Sequence, residues 1–264
     1  MKTAVHITDN YLINPANPLR VNLIGAGGTG SQMLTALARI NHALLNLNHP
    51  GLFITVFDDD QISEANLGRQ LFSESEVGLH KSVALINRLN RFFGTNWKAK
   101  THRFADDLYH EDSYKANLYI SCVDTAKSRF EMSELLYDLS IGSGYDRERP
   151  LYWMDLGNSR DTGQVVLSTI GTIKQPESEK YKTVADLPFI TETFRDQLEQ
   201  ANQFDDTPSC SLAEALTKQD LFINSSVATF GASLLWQLFQ QGMIFNRGMF
   251  VNLKTFITQP LKLV

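Results

Sequence analysis

Seven residues, Gly25-Ala26-Gly27-Gly28-Thr29-Gly30-Ser31, lie between a short apolar run at residues 21–24 and a stretch carrying Leu34, Leu37, Ala38, Leu44 and Leu45 at helical spacing. A glycine-rich link from a strand into a helix is the context in which a G-x-G-x-x-G signal constrains a fold. Small residues let such a loop turn tightly and let a nucleotide approach the backbone. The helix N-terminus then offers unpaired N–H groups to phosphate. The same loop also serves as a plain strand-to-helix turn, and alone it does not choose between NAD, FAD and ATP.

Three further runs read as buried strands: Leu52–Phe57 (LFITVF), residues 118–122 (LYISC) and residues 164–169 (QVVLST). Helical patterns fill residues 31–47, 81–92 and 130–139. This alternation predicts an α/β fold: a Rossmann-like, doubly wound, mostly parallel sheet with helices on both faces, plus a C-terminal helix and short strands. Ligands on such sheets sit beyond the carboxyl ends of the strands, where residues 25–30, 58–60 and Asp124 fall. Residues 1–170 read as a nucleotide-binding core, and residues 171–219 as a crossover loop. The stretch 174–207 is polar and acidic, with no clear strand and one short helix around residues 191–200. A loop of that length inside a compact domain is expected to be functional or mobile. Residues 220–264 complete the same domain with an apolar helix over 220–240 and short strands at 249–253 and 261–264.

Composition narrows the function classes. The 264 residues are 43% hydrophobic, enough to bury a sizeable core. A formal net charge of −5 leaves no basic excess to displace counterions, so no nucleic-acid partner is expected. No apolar run reaches the length of a membrane span, and the N-terminus lacks an apolar signal segment. A cytoplasmic, membrane-free setting follows as the expectation. The two cysteines, Cys122 and Cys210, supply neither a disulfide framework nor a four-cysteine zinc site.

Asp58, at the end of the second run, is placed to hold ribose hydroxyls, or to serve with Asp59 and Asp60 as a solvated turn or helix cap. Asn66, Arg69, Gln70 and Lys81 follow closely. A dehydrogenase has little use for an extra Arg and Lys there. An enzyme that displaces pyrophosphate needs fixed cations against the charge building on the triphosphate. Asp124, after the third run, is a candidate magnesium ligand, because Mg²⁺ takes one or two carboxylates plus phosphate oxygens. Singly, each of these reads as a surface residue; the joint pattern favours ATP.

GAGGTGS, then FDDDQISEANLGRQLFSESEVGLHK, then ISCVDTAKSRFEMSELL resembles the ThiF/MoeB/HesA and ubiquitin-activating family over residues 20–170, with a weaker echo at 220–240. The resemblance implies ATP and Mg²⁺ as cofactors and adenylation of the C-terminal carboxylate of a small ubiquitin-like or sulfur-carrier-like partner, within a homodimer. It implies that Gly25, Gly27, Gly28 and Gly30 cradle the nucleotide, Asp58 holds the ribose, and Asp60 supports nearby cations. Asn66 and Arg69 would contact phosphates with Gln70 beside them. Lys81 would neutralise the phosphates, Asp124 would bind Mg²⁺, and Arg129 would be structural. Within the family the chain looks most like the ThiF-type member of the PRTRC plasmid cassette, on the tract PSCSLAEALTKQDLFIN. Ser121 stands where the family often has Asp, and Thr125 where it often has Asn. Paired C-x-x-C knuckles are absent, so no zinc is expected. A catalytically weak nucleotide-binding scaffold of the same fold is the alternative reading.

Two expectations concern the C-terminal part. Leu221, Phe222, Val227, Phe230, Leu234, Leu235, Trp236, Leu238 and Phe239 cover more than one helix face, which suits either self-association or burial within one subunit. Cys210 follows Pro208 and precedes Ser211-Leu212-Ala213-Glu214, the spacing of a capping box. A helix N-terminus favours a thiolate there. The tract also resembles the P-x-C-T-[IL] segment around the catalytic cysteine of eukaryotic ubiquitin-type activating enzymes, so Cys210 is a candidate acyl acceptor; otherwise it packs the crossover. Cys122, ending an apolar strand, reads as a small core residue.

Overall fold

Alternation along the strands builds two cores rather than one. The computed structural model describes residues 2–107, 114–141, 146–201 and 219–263. After a short strand β1 (Thr3–Ile7) and a one-turn helix α1 (Asn10–Ile13), the chain lays down β2 (Leu19–Ile24), α2 (Gly28–Asn46), β3 (Leu52–Phe57), α3 (Lys81–Phe93) and β4 (Lys98–Lys100). It continues through β5 (Leu118–Ser121), α4 (Ala126–Ile141), β6 (Tyr152–Asn158), β7 (Thr162–Thr169) and β8 (Tyr181–Thr183). Two short helices, α5 (Ile190–Thr193) and α6 (Arg195–Ala201), precede the long α7 (Ile223–Gln241). Strands β9 (Met243–Ile244), β10 (Asn246–Asn252) and β11 (Ile257–Lys262) close the chain.

Among the described residues the main sheet has eight strands in the order β11-β10-β7-β6-β5-β2-β3-β4. From β4 to β6 every pairing is parallel; from β6 to β11 every pairing is antiparallel. Val21 and Leu23 of β2, Leu118 and Ile120 of β5, and Met154 and Leu156 of β6 face the core under α2, α3 and α7. Ile24, Tyr119 and Trp153, one residue out of phase, face the core under α4 to α6. Helices therefore cover both faces, as the period-two burial of each strand requires. Within the parallel part, β3 and β4 lie to one side of β2 while β5 and β6 lie to the other. The strand order reverses between β2 and β5, which opens a crevice at their carboxyl ends.

Several elements differ from the sequence expectation. The run at 164–169 is a strand, but it pairs antiparallel with β6 in a hairpin instead of extending the parallel set. The crossover, expected without a strand, contains β8, which pairs parallel with β1 in a three-stranded sheet β8-β1-β9. That pairing joins Thr3 to Tyr181, a partner no local pattern reveals. The single short helix expected around residues 191–200 is two helices, α5 and α6, and α7 begins at Ile223. The apolar set on α7 packs mainly inside the chain: Val227, Leu234, Leu235, Leu238 and Phe239 are buried, while Leu221 and Phe222 just before the helix are exposed. Intrachain packing accounts for these five buried residues and leaves Leu221 and Phe222 outside it. Among the described residues no helix is long and apolar enough to cross a membrane.

Candidate functional site

The glycine loop closes on itself at the β2–β5 switch point. Gly25 has φ +91° and its N–H donates to the Phe57 carbonyl at 2.9 Å. A Cβ there would lie 2.7 Å from the Cys122 carbonyl oxygen at the end of β5, and a Cβ on Gly30 would lie 1.9 Å from the Gly25 carbonyl. At Gly28 the obstacle is the Asn224 side chain, at 2.6 Å. Gly27 differs, because the nearest atom to its would-be Cβ is Gln70 Nε2, at 3.9 Å. Three of the glycines are thus required by the protein's own packing, while the space over Gly27 is open to a ligand.

The acids hold this loop in place. Asp58 Oδ2 accepts from the Ala26 N–H at 2.6 Å, and Oδ1 accepts from the Asp60 N–H at 3.0 Å. Burial raises the Asp58 carboxyl above its ordinary value, against the lowering effect of the Ala26 hydrogen bond and the Lys81 charge. Asp60 takes the Lys81 Nζ at 2.6 Å, and the Asp60 carbonyl also receives the Lys81 N–H at 3.0 Å. Lys81 is only 6% exposed, so its ammonium is held beside the loop rather than in solvent. The Ala26–Asp58 and Lys81–Asp60 contacts therefore tie together the end of β2, the end of β3 and the start of α3.

Between β3 and α3 the chain makes a short turn, Glu64–Asn66, capped by Asn66 Oδ1 accepting from the Ser63 N–H at 2.9 Å. The next residues are less satisfied. Arg69 Nη1 donates to Gln219 Oε1 at 2.9 Å, but among the described residues Arg69 Nε and Gln70 Oε1 are buried without a partner. Burial lowers the Arg69 pKa. A buried polar atom without a partner carries a penalty of about 1–3 kcal/mol, so a polar ligand or water reaching these two atoms would be favoured.

Asp124 is exposed in the loop after β5, and the protein fixes that loop from behind. Arg129, 5% exposed on α4, donates from Nη2 to the Val123 carbonyl at 2.7 Å and from Nη1 to the Thr125 carbonyl at 3.2 Å. Its Nε lies 3.0 Å from both carboxylate oxygens of Asp155. Thr125 caps α4 by accepting the Ser128 N–H at 3.1 Å. Ser121 donates to Asp155 Oδ1 at 2.8 Å, and the two residues are register partners on β5 and β6. The buried acid beside Arg129 therefore comes from the adjacent strand.

Asp124 also lines a cleft of about 700 Å³ with Asn158, Ser159, Leu198 and Phe250, running over the ends of β6, β7 and β10. The sequence did not single out this cleft or the residues joining it to the loop. Asn224, 4% exposed, and Gln219 stand out only as polar residues flanking and interrupting an apolar tract. Among the described residues no group of three or more His, Cys, Asp or Glu is arranged to hold a metal. Cys122 packs under Gly25 and Gly30, and burial pushes its thiol well above the ordinary range. Cys210 lies outside the described residues.

Comparison with known proteins bears on this arrangement. The model of the ThiF family matches residues 13–239. A ubiquitin-like modifier-activating enzyme 5 from Aedes aegypti is 26% identical over 134 residues, 46% of this chain and 32% of the relative. Among solved structures, E. coli MccB with MccA superposes with a TM-score of 0.61 at 16% identity, over 96% of this chain and 65% of MccB. E. coli MccB with ATP gives 0.58 at 14% identity, over 95% and 64%. PaaA gives 0.57 at 12% identity, over 92% and 64%. This chain thus spans about a third of that curated relative, by the 32% figure, and just under two thirds of the MccB chains.

Proposed function

This chain belongs to the ThiF family, and on that footing we propose that it uses ATP to adenylate the C-terminal carboxylate of a small carrier-type partner protein. The observation that supports this reading is the open space over Gly27, bordered by the Gln70 side chain, together with Arg69 Nε and Gln70 Oε1, which are buried without a partner among the described residues. MccB, of the same fold, has been crystallised with ATP and with MccA, which supports both a nucleotide and a small protein or peptide as ligands. In the proposed reaction a carboxylate oxygen of the partner attacks the α-phosphorus of ATP. An acyl–phosphate bond forms, the α–β phosphoanhydride bond breaks, and pyrophosphate leaves with the electron pair.

No general base is needed, since the carboxylate is already ionised, and rate enhancement comes from positioning and charge neutralisation. The loop at residues 25–30 and the start of α2 receive the phosphates, and Arg69 and Lys81 offset their charge. Asn66, whose Oδ1 caps its own turn, would have its amide nitrogen available to a phosphate. Asp58 keeps lone pairs for ribose hydroxyls after accepting its two backbone N–H groups. Mg²⁺ would be held by Asp124 together with phosphate oxygens, a donor set that suits an ion with few protein ligands. The cleft beside Asp124, with Leu198 and Phe250 in its wall, takes the partner's extended C-terminal tail. A ubiquitin-like identity for the partner, a homodimer, a place in the PRTRC cassette and onward transfer to Cys210 as a thioester extend this reading. A nucleotide-binding scaffold is the second reading, and the pairing of Lys81 with Asp60 at 2.6 Å favours it, because that ammonium is already neutralised.

Partner-dependent ATP–pyrophosphate exchange, assayed with each small protein encoded beside the gene, separates the two. Exchange that appears with one of them supports adenylation. ATP binding with no exchange for any of them supports the scaffold.

A further inference from the structure

Among the described residues Arg69 is gripped from one side only, and the residue that grips it is a hub. Gln219 Oε1 accepts from Arg69 Nη1 at 2.9 Å and from Asn224 Nδ2 at 3.1 Å, while Gln219 Nε2 reaches the Ser159 carbonyl at 3.4 Å. Asn224 is buried near the start of α7 and accepts the Thr29 hydroxyl at 3.0 Å. That hydroxyl also stands 2.9 Å from Asn158 Oδ1. One hydrogen-bonded chain thus runs from Arg69 through Gln219 and Asn224 into the helix that opens at the glycine loop, with branches to Asn158 and Ser159 on the cleft wall.

We propose that Gln219 is a positioning residue that holds the Arg69 guanidinium toward the phosphates of ATP; the inference rests on the ATP-binding reading above. An arginine side chain carries about 2 kcal/mol of rotamer freedom, which a ligand must overcome unless the protein has restricted it beforehand. Gln219 restricts it with a neutral acceptor. The guanidinium is oriented without losing its charge, and Nε is left for the ligand. A carboxylate at position 219 would accept the same hydrogen bonds but compete with phosphate for the cation. Of the two ends of the chain, Asn224 is buried at the start of α7 and the Ser159 backbone is held in the β6–β7 turn by its N–H to the Thr162 carbonyl, so the orientation is imposed by the scaffold.

The test is a double-mutant cycle read by calorimetry with Mg·ATP and no partner protein, on wild type, Gln219→Met, Arg69→Ala and the double variant, with a thermal melt of each. Gln219→Met should weaken ATP binding roughly tenfold, the scale of a lost hydrogen bond to a charged group, and the melt reads separately what losing the acceptor for Asn224 Nδ2 does to stability. In the Arg69→Ala background it should produce no further loss, because its effect passes through Arg69. Full additivity, or wild-type affinity in Gln219→Met where Arg69→Ala is weakened, overturns the proposal and leaves the ATP reading standing. Absence of ATP binding by wild type overturns the reading beneath it. Should Gln219→Met melt early, Gln219→Glu replaces it: that variant keeps the acceptor toward Arg69 and Asn224, and its ATP affinity should still fall. Wild-type affinity in Gln219→Glu also overturns the proposal.

Discussion

Every nitrogen of the Arg129 guanidinium donates to the chain, to the carbonyls of Val123 and Thr125 and to Asp155, whereas among the described residues Arg69 gives one nitrogen to Gln219 and keeps Nε buried without a partner. Both arginines lie beyond the carboxyl ends of the strands, and both follow turns that carry a candidate ligand residue. Arg129 completes the fold: it is buried, paired and surrounded, and it sets the path of the loop that presents Asp124. Arg69 is half-buried, and its Nε, without a partner among the described residues, is left for a further hydrogen bond. The difference separates residues that shape the site from residues that are part of it.

Removing the first arginine should have the largest effect. Arg129→Ala leaves Asp155, 1% exposed, without its cation, at a cost of about 3–5 kcal/mol in stability. Urea unfolding measures this, and a loss under about 1 kcal/mol would erase the distinction between the two arginines. Arg69→Ala should behave in the opposite sense. Its stability stays within about 1 kcal/mol of wild type, while pyrophosphate exchange loses about 2.7–4 kcal/mol of transition-state stabilisation. An Arg69→Ala protein that unfolds as readily as Arg129→Ala would show that Arg69 too is structural.

The glycine loop offers the same contrast on a smaller scale. Gly30→Ala forces a Cβ to within 1.9 Å of the Gly25 carbonyl and should destabilise by about 1–3 kcal/mol. Gly27→Ala, with 3.9 Å of clearance, should fold normally yet bind nucleotide more weakly. Equal melting midpoints for the two variants would contradict this. The smallest effect is a pH dependence. Burial raises the Asp58 carboxyl, so the folded chain holds a proton that the unfolded chain has lost once pH passes 3.8. Stability should therefore decline as pH rises from 3.8 through the folded value, and Asp58→Asn should flatten that decline. A wild-type curve parallel to that of Asp58→Asn would rule out the raised carboxyl.

The two halves of the sheet were unequally legible in the sequence. The strand Leu52–Phe57 and the helix beginning at Lys81 stand where apolar periodicity and the turn residues put them, and the glycine loop joins β2 to α2 as its spacing predicts. Those signals are local. Strand β6 (YWMDLGN) escaped because Asp155 and Gly157 interrupt its apolar run. Both make sense only against Arg129, which pairs with the acid and would sit 2.6 Å from a Cβ on Gly157. Strand β1 escaped because its partners, β8 and β9, come from the far end of the chain. Within the site, the acids and cations follow a compact motif, so their joint presence could be read. The Gln219–Asn224–Thr29 chain links side chains up to 195 residues apart, and no one-dimensional pattern announces it.

Calorimetry of the wild-type chain with Mg·ATP and, separately, with NAD tests most directly whether Arg69 and Gln70 await a nucleotide triphosphate. The account predicts saturable binding of Mg·ATP, reduced by Arg69→Ala, and no comparable heat with NAD. Tight NAD binding with no response to ATP would contradict it.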